Sequence, residues 1–271
     1  MSEAKAVQIL SEDEVFALIP KRPPDANKYS FGRLQIVAGS KKYPGAAFLC
    51  ALGAFKGGCG YVALESFAAT EVLAQIPEVV LTFDEKATAL VVGPGLSLDE
   101  SSQWAKHLDA KIPKVIDASA LDLLKAKDLS HFENTVFTPH AGEAARIFGM
   151  KSSDIDACEE ARLSFLRTRV MPELAASSCF LLKGHRTLIL SAGEIFLVPT
   201  GSVAQANAGQ GDLLSGVLGA LLAQGLSPVD AAQLAAYSLG FAADRLTKNS
   251  YPAGVLAHEV AAELSRVWSR V

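Results

Sequence analysis

Four short runs of this chain, residues 89–92, 115–116, 135–138 and 180–182, are apolar or nearly so along their whole length. A strand with one face in water alternates apolar and polar residues. A continuous run belongs to a strand covered on both faces, and such strands build parallel sheets packed between helices. That constraint predicts an α/β fold with a mostly parallel central sheet and helices on both of its faces. Each run also closes on residues with chemistry: Gly95 within Gly93-Pro94-Gly95-Leu96, then Asp117, His140 and Lys183. In open α/β sheets the ligand lies beyond the carboxyl ends of the strands, so these four residues are expected to converge there.

The remaining segments fill in the layers. Residues 34–38 and 61–64 read as further strands, and residues 187–190 and 195–198 as a hairpin at the sheet edge. Ser11 and Glu14 form a capping box for a helix over 11–18, with Leu10 and Val15 available as its hydrophobic staple. Pro44 sits near the first turn of a helix over 44–56 whose small side chains require a very close neighbour. Ser227 and Pro228 open another helix that runs to about residue 246, and residues 256–267 form a last amphipathic one. No internal repeat, low-complexity stretch or linker interrupts the pattern, so residues 1–271 are expected to be one domain.

Composition narrows the function. Half of the 271 residues are hydrophobic, enough for a substantial core. A net charge of −4 without any Lys/Arg run argues against a nucleic-acid partner. Cys50, Cys59, Cys158 and Cys179 form no CxxC pair and are expected to be buried thiols in a reducing compartment. The opening Met-Ser-Glu-Ala-Lys has no secretory pattern, and no apolar run is long enough to cross a bilayer. A cytoplasmic protein without a membrane partner is expected.

The stretch from Asn207 to Gly225 carries the strongest local signal. Gly209 and Gly211 allow positive φ and close approach of a ligand. Leu213, Leu214, Val217, Leu218, Leu221 and Leu222 then follow at the spacing of a buried helical face, and Gly225 is placed to end it. A glycine turn entering a helix points free N–H groups at one spot, which suits a phosphate. Asp212 is out of place at such a site. It either caps the helix or takes a proton from whatever attacks the anion.

Together these strings resemble the ribokinase-like superfamily, and within it the ADP/ATP-dependent NAD(P)H-hydrate dehydratases. The residues that carry the resemblance are Lys28 with Gly32, Val37-Ala38-Gly39-Ser40, Pro44-Gly45-Ala46-Ala47 and Gly93-Pro94-Gly95-Leu96. They continue with Asp117-Ala118, Thr138-Pro139-His140-Ala141-Gly142-Glu143, Lys183-Gly184-His185-Arg186-Thr187, Gly209-Gln210-Gly211-Asp212 and Leu256-Ala257-His258-Glu259. The resemblance implies a ribokinase-like three-layer sandwich acting as a lyase. Such an enzyme phosphorylates the hydroxyl of hydrated NADH or NADPH with ADP or ATP, then loses phosphate. It implies Asp212 as the base, with the N–H groups from Gly209 to Gly211 stabilising the transferred phosphoryl group. It places the adenine nucleotide against Lys183, Gly184, His185, Arg186, Thr187 and Gly211, and the hydrated cofactor against Ala46, Gly95, His140 and Asp212. Magnesium is expected with the nucleotide. Glu143 either helps to hold it, as an acid does in related kinases, or favours the start of the following helix. His107, His131 and His258 read as ordinary histidines that make no metal set with Asp117. A homo-oligomer, such as a tetramer, is the implied assembly, with Phe241, Val267 and Trp268 offering apolar surface for it.

Three departures bear on these expectations. Ala208 and Gln210 stand where the family has Gly and a small hydroxyl residue, so Ala208 is expected to strain a positive-φ position and Gln210 to crowd a phosphate. Ser119 replaces a second acid. The epimerase domain often fused to this family finds no room before Ser11. The alternatives are a small-molecule kinase of the same superfamily, acting on a vitamin precursor or a sugar, and a catalytically silent nucleotide-binding protein.

Overall fold

The structure is a computed structural model that describes residues 6–248, 251 and 253–269. The opening residues 1–5, on which the reading of the leader rests, lie outside them. In chain order the strands are β1 (Gln8–Ile9), β2 (Arg33–Val37), β3 (Tyr61–Glu65), β4 (Ala89–Val92), β5 (Lys114–Ile116), β6 (Thr135–Phe137), β7 (Cys179–Leu182), β8 (Leu188–Ser191) and β9 (Glu194–Leu197). They form one sheet in the order β1-β9-β8-β7-β6-β5-β4-β2-β3. Strands β2 to β7 pair in parallel, and β8 runs antiparallel to both β7 and β9. The hairpin is not the edge, because the two residues of β1 pair in parallel with β9 outside it. A two-residue strand carries no periodicity, which is why only its pairing reveals it.

The helices are α1 (Glu12–Phe16), α2 (Pro44–Lys56), α3 (Ala69–Leu73), α4 (Ser101–Trp104), α5 (Ala141–Phe148), α6 (Ser152–Ile155), α7 (Glu159–Phe165), α8 (Gln210–Ala223), α9 (Pro228–Thr247) and α10 (Ala257–Trp268). They cover both faces of the sheet. Ile36, Val91, Val115, Val136 and Leu181 pack with α2, α8, α9 and α10 on one side. Their neighbours Val37, Val92, Ile116, Phe137 and Phe180 pack with Trp104, Ile147, Phe148 and Phe165 on the other. Period-two alternation therefore persists, but both faces meet apolar partners, and this is why the runs read as continuous. The fold is the ribokinase-like α/β sandwich expected from the sequence.

The small residues of α2 and α8 answer each other. A Cβ added to Gly216 would overlap the Cys50 carbonyl oxygen, one added to Gly53 would overlap that of Leu213, and one added to Gly219 would overlap the Val91 side chain. Helix α8 thus lies wedged between α2 and β4, with its first turn fixed at the carboxyl ends of the strands. The Thr88 hydroxyl donates to the Ala223 carbonyl at 2.9 Å, tying down its far end.

Two expectations change. Phe241 packs against Phe16 at 5.7 Å, Val267 is fully buried, and Trp268 Nε1 donates to Ser238 Oγ at 2.8 Å, so their apolar surface is used within the chain. Cys158 is exposed while Cys50, Cys59 and Cys179 are buried, because Cys158 precedes α7 on the surface and the others face the layers. Among the described residues no helix is long and apolar enough to cross a membrane.

The α2–α8 contact predicts a pair of outcomes in urea unfolding. Gly216→Ala should lower stability by roughly 1–3 kcal/mol, since overpacking outweighs the helix propensity gained. Gly45→Ala, where an added Cβ meets nothing within 4 Å, should leave stability unchanged or slightly raised.

Candidate functional site

Three of the four strand-end residues, Asp117, His140 and Lys183, meet directly. His140 and Lys183 form a parallel bridge beyond β6 and β7, with the Lys183 amide donating to the Pro139 carbonyl at 2.8 Å. Lys183 Nζ reaches back to donate to Asp117 Oδ1 at 2.8 Å and lies 3.6 Å from Glu143 Oε2. The other oxygen of Asp117 accepts from Ser215 Oγ of α8 at 2.7 Å, so this buried carboxylate is bonded on both sides. The only sequence signal for Ser215 is a hydroxyl in the middle of an apolar helical face. Gly95, at φ 62°, comes against Ala46 in the first turn of α2, where a Cβ on Gly95 would overlap that of Ala46.

The first turn of α8 completes the cluster. Gly209 is the N-cap at φ 95° and makes no side-chain cap bond, and Asp212 is the third helical residue. Asp212 therefore does not cap the helix. Burial, then repulsion from Asp117 and Glu143, pushes its carboxyl up to about 7, although Lys183 opposes them. Burial works against the charge of Lys183 too, but Asp117 and Glu143 outweigh it and hold the ammonium above its usual range. One cation thus faces three carboxylates, and the carboxylate it does not bond is the one that holds a proton near neutrality.

The departures look different in the structure. The positive φ falls on Gly209, and Ala208 is exposed with an ordinary backbone, so Ala208 strains nothing. Gln210 Nε2 donates to Asn207 Oδ1 at 3.1 Å, which turns the amide back toward its own loop. Ser119 Oγ donates to the Leu96 carbonyl at 2.7 Å, a bond that ties the ends of β4 and β5 together.

Glu143 does favour the start of its helix. Its Oε2 accepts from the His140 amide at 2.8 Å, while His140 Nδ1 accepts from the amides of Gly142 and Glu143. This reciprocal cap starts α5, and it leaves the proton of a neutral His140 ring on Nε2. Glu143 Oε2 thus serves the cap of α5 and lies within reach of Lys183. Among the described residues no group of three or more His, Cys, Asp and Glu side chains could hold a metal ion. His107 stacks on Phe83 at 5.2 Å and lies 3.3 Å from Glu65, an ordinary packed histidine.

A cleft of about 580 Å³ opens beside this cluster. Lys183, Gly184, His185, Arg186, Thr187 and Gly211 all line it. Gln210 and Leu214 of α8 also line it, and its far wall, Thr200 to Val203 with Gln205, Ala206, Ala236 and Leu239, has no motif to mark it. The arrangement offers a half-buried base of raised pKa in the first turn of a helix, a lysine near it and a nucleotide-sized cleft. Gly95 and His140 stand at strand ends, with Ala46 of α2 against Gly95.

With that geometry in place, comparison with known proteins is informative. The sequence model of the NAD(P)H-hydrate dehydratase family matches residues 34–266. The ADP-dependent (S)-NAD(P)H-hydrate dehydratase of Neisseria meningitidis serogroup B is 34% identical over 264 residues, covering 89% of this chain and 86% of that protein. The bifunctional NAD(P)H-hydrate repair enzyme Nnr of Coxiella burnetii is 33% identical over 271 residues, covering 93% of this chain but 54% of its own length. The chain thus spans about half the length of the bifunctional relatives it matches. The crystal structure of the ADP/ATP-dependent NAD(P)H-hydrate dehydratase from Bacillus subtilis, co-crystallized with ATP/Mg2+, superposes with a TM-score of 0.84 at 29% identity. That superposition covers 97% of this chain and 98% of the other.

The raised pKa of Asp212 predicts a stability signature. The folded state holds this proton more tightly than the unfolded chain, so stability falls as pH rises from about 4 to about 7. Asp212→Asn removes the penalty. It should melt higher than wild type above pH 7, by on the order of 2 kcal/mol after allowing for partial exposure, and converge with it below about pH 4. Equal melting temperatures at pH 8 would contradict the desolvated carboxyl.

Proposed function

We propose, for a chain that belongs to the NAD(P)H-hydrate dehydratase family, that it restores NADH or NADPH from its hydrate in a reaction driven by ADP or ATP. The observation that carries the reading is Asp212, a base near neutrality in the first turn of α8, next in sequence to Gly211 of the cleft lining and within the field of Lys183. The hydrate hydroxyl is a poor leaving group until it is phosphorylated. In the first step Asp212 takes the hydroxyl proton as the oxygen attacks the terminal phosphoryl group of the nucleotide. The amides from Gly209 to Gly211 and the positive end of α8 face the charge that develops on that group, and Lys183 adds a full cation beside it. In the second step the C–O bond breaks, the ring nitrogen supplies the electron pair, and phosphate departs. Loss of a proton from the adjacent ring carbon then restores the double bond. Lys183 to Thr187 with Gly211 hold the nucleotide in this reading, and Ala46, Gly95 and His140, with its Nε2 proton, hold the hydrate.

Magnesium would neutralise phosphate charge when it arrives with the nucleotide, and Glu143, which also caps α5, is the protein carboxylate that would help to hold it. The reading includes a cytoplasmic homo-oligomer, such as a tetramer, whose folded unit is one domain. The silent-binder alternative rested on strain at Ala208 and crowding by Gln210; the backbone at Ala208 is ordinary, and Gln210, which lines the cleft, turns its amide nitrogen to Asn207. No observation favours a sugar or vitamin kinase.

Purified protein incubated with hydrated NADH and ADP or ATP should regain absorbance at the reduced-nicotinamide band. Asp212→Asn should lower that rate roughly 10²–10⁴-fold, the usual cost of removing a general base. If the variant turned over at the wild-type rate, Asp212 would not be the base. For the wild type, kcat/KM should rise tenfold per pH unit below about 7 and level off above it, because the base must be ionised to act. A profile flat from pH 5 to 8 would count against the assignment.

A further inference from the structure

Beneath the turn that follows β7 lies a charged side chain the reaction does not use. Arg162, on α7, is buried to 5% exposure, and its guanidinium sits under the segment that lines the cleft. Nη2 donates to the carbonyls of Leu182 at 3.0 Å and Lys183 at 3.5 Å. Nη1 donates to the carbonyls of His185 and, at 3.3 Å, Arg186. Nε lies 3.5 Å from Asp156 Oδ1, so the charge is balanced from the side away from the cleft. Four carbonyls of one short turn thus converge on one planar cation, whose fork presents its donors in a fixed arrangement.

The turn is built to allow this. Gly184 has φ +150°, and a Cβ there would come within 3.0 Å of Arg162 Nη2. Arg186 takes the left-handed region at φ 55°, rare for a residue with a side chain, and its guanidinium lies 3.1 Å from Glu159 Oε2 on the same α7. Within a trans peptide the carbonyl and the following N–H point in opposite directions. Carbonyls of Lys183, His185 and Arg186 turned down onto Arg162 therefore aim the amides of Gly184, Arg186 and Thr187 the other way, toward the cleft that these residues line.

We propose that Arg162 is a positioning residue for nucleotide binding: by gathering the carbonyls of the 182–186 turn it presents that turn's N–H donors to the nucleotide. The inference rests on the dehydratase reading, which makes this cleft the nucleotide site. It gives α7, otherwise a short surface helix, a part in recognition without touching the ligand. A buried cation holds the peptide dipoles in one orientation before the nucleotide arrives, so binding does not have to order them.

Calorimetric titration of ADP and ATP into wild type, Arg162→Lys and Arg162→Met, with steady-state kinetics on each, tests it. Hydrogen bonds to a charged group are lost in both variants, more of them in the methionine one. The Kd and KM for nucleotide should rise roughly ten- to hundredfold in Arg162→Met and less in Arg162→Lys. The KM for hydrated NADH and the pH at which the rate rises should stay at wild-type values, since neither involves the turn. A merely structural role would lower the melting temperature and the active fraction while the folded protein kept its nucleotide Kd, and that result overturns the inference. If Arg162→Met does not fold, Arg162→Lys decides by the same criterion. Wild type that bound neither nucleotide would overturn the dehydratase reading and this inference with it; equal affinities across binding-competent variants would overturn this inference alone.

Discussion

The ion pair between Lys183 and Asp117 is what the site depends on. It joins the end of β7 to the end of β5, and through Ser215 it joins both to α8. The same ammonium lies near Glu143 and partly offsets the repulsion on Asp212, so a single positive charge keeps three acids in one small volume. Truncating one partner of such a pair leaves the other charge buried without compensation, a far larger cost than the pair's own net worth. The acids differ in role because their bonding differs: Asp117 is saturated by two donors, Glu143 is bound into a helix cap, and Asp212 is left with the desolvation.

Packing makes that electrostatic arrangement possible. The N-terminus of α8 reaches the strand ends because Gly53, Gly216 and Gly219 let the helix sink between α2 and β4. A bulkier interface would lift the helix, moving Asp212 and Ser215 together, since both ride on its first two turns. The glycines deep in the core and the carboxyl group on the first turn of α8 therefore answer to one geometric requirement.

Much of this was legible in the sequence because it depends on local pattern. Strands covered on both faces show as continuous apolar runs, and their last residues point to the site; β4 to β7 lay where the runs are. Asp212 stood out because an acid at an anion site conflicts with its surroundings. What the sequence hid were interactions made across the chain. An arginine in an amphipathic segment looks like a solvated residue, so the burial of Arg162 under a turn 20 residues away had no local sign. Glu143 offered two readings, and only the hydrogen bonds around it show the capping one. Ala208 looked strained because the register of the left-handed position, which falls one residue later on Gly209, cannot be read from composition alone.

The two ends of the sheet are finished in the same way. On one side the two residues of β1 lie along β9. On the other, Val80 meets β3 by a single bridge, its amide donating to the Val62 carbonyl and its carbonyl accepting from the Leu64 amide. Each boundary strand is thus met by a fragment too short to propagate hydrogen bonding further. Open rows of amides and carbonyls are where sheets recruit foreign strands and grow into fibres, and stubs of this kind blunt that growth. Among the described residues the sheet offers a second copy of this chain no long edge on which to extend.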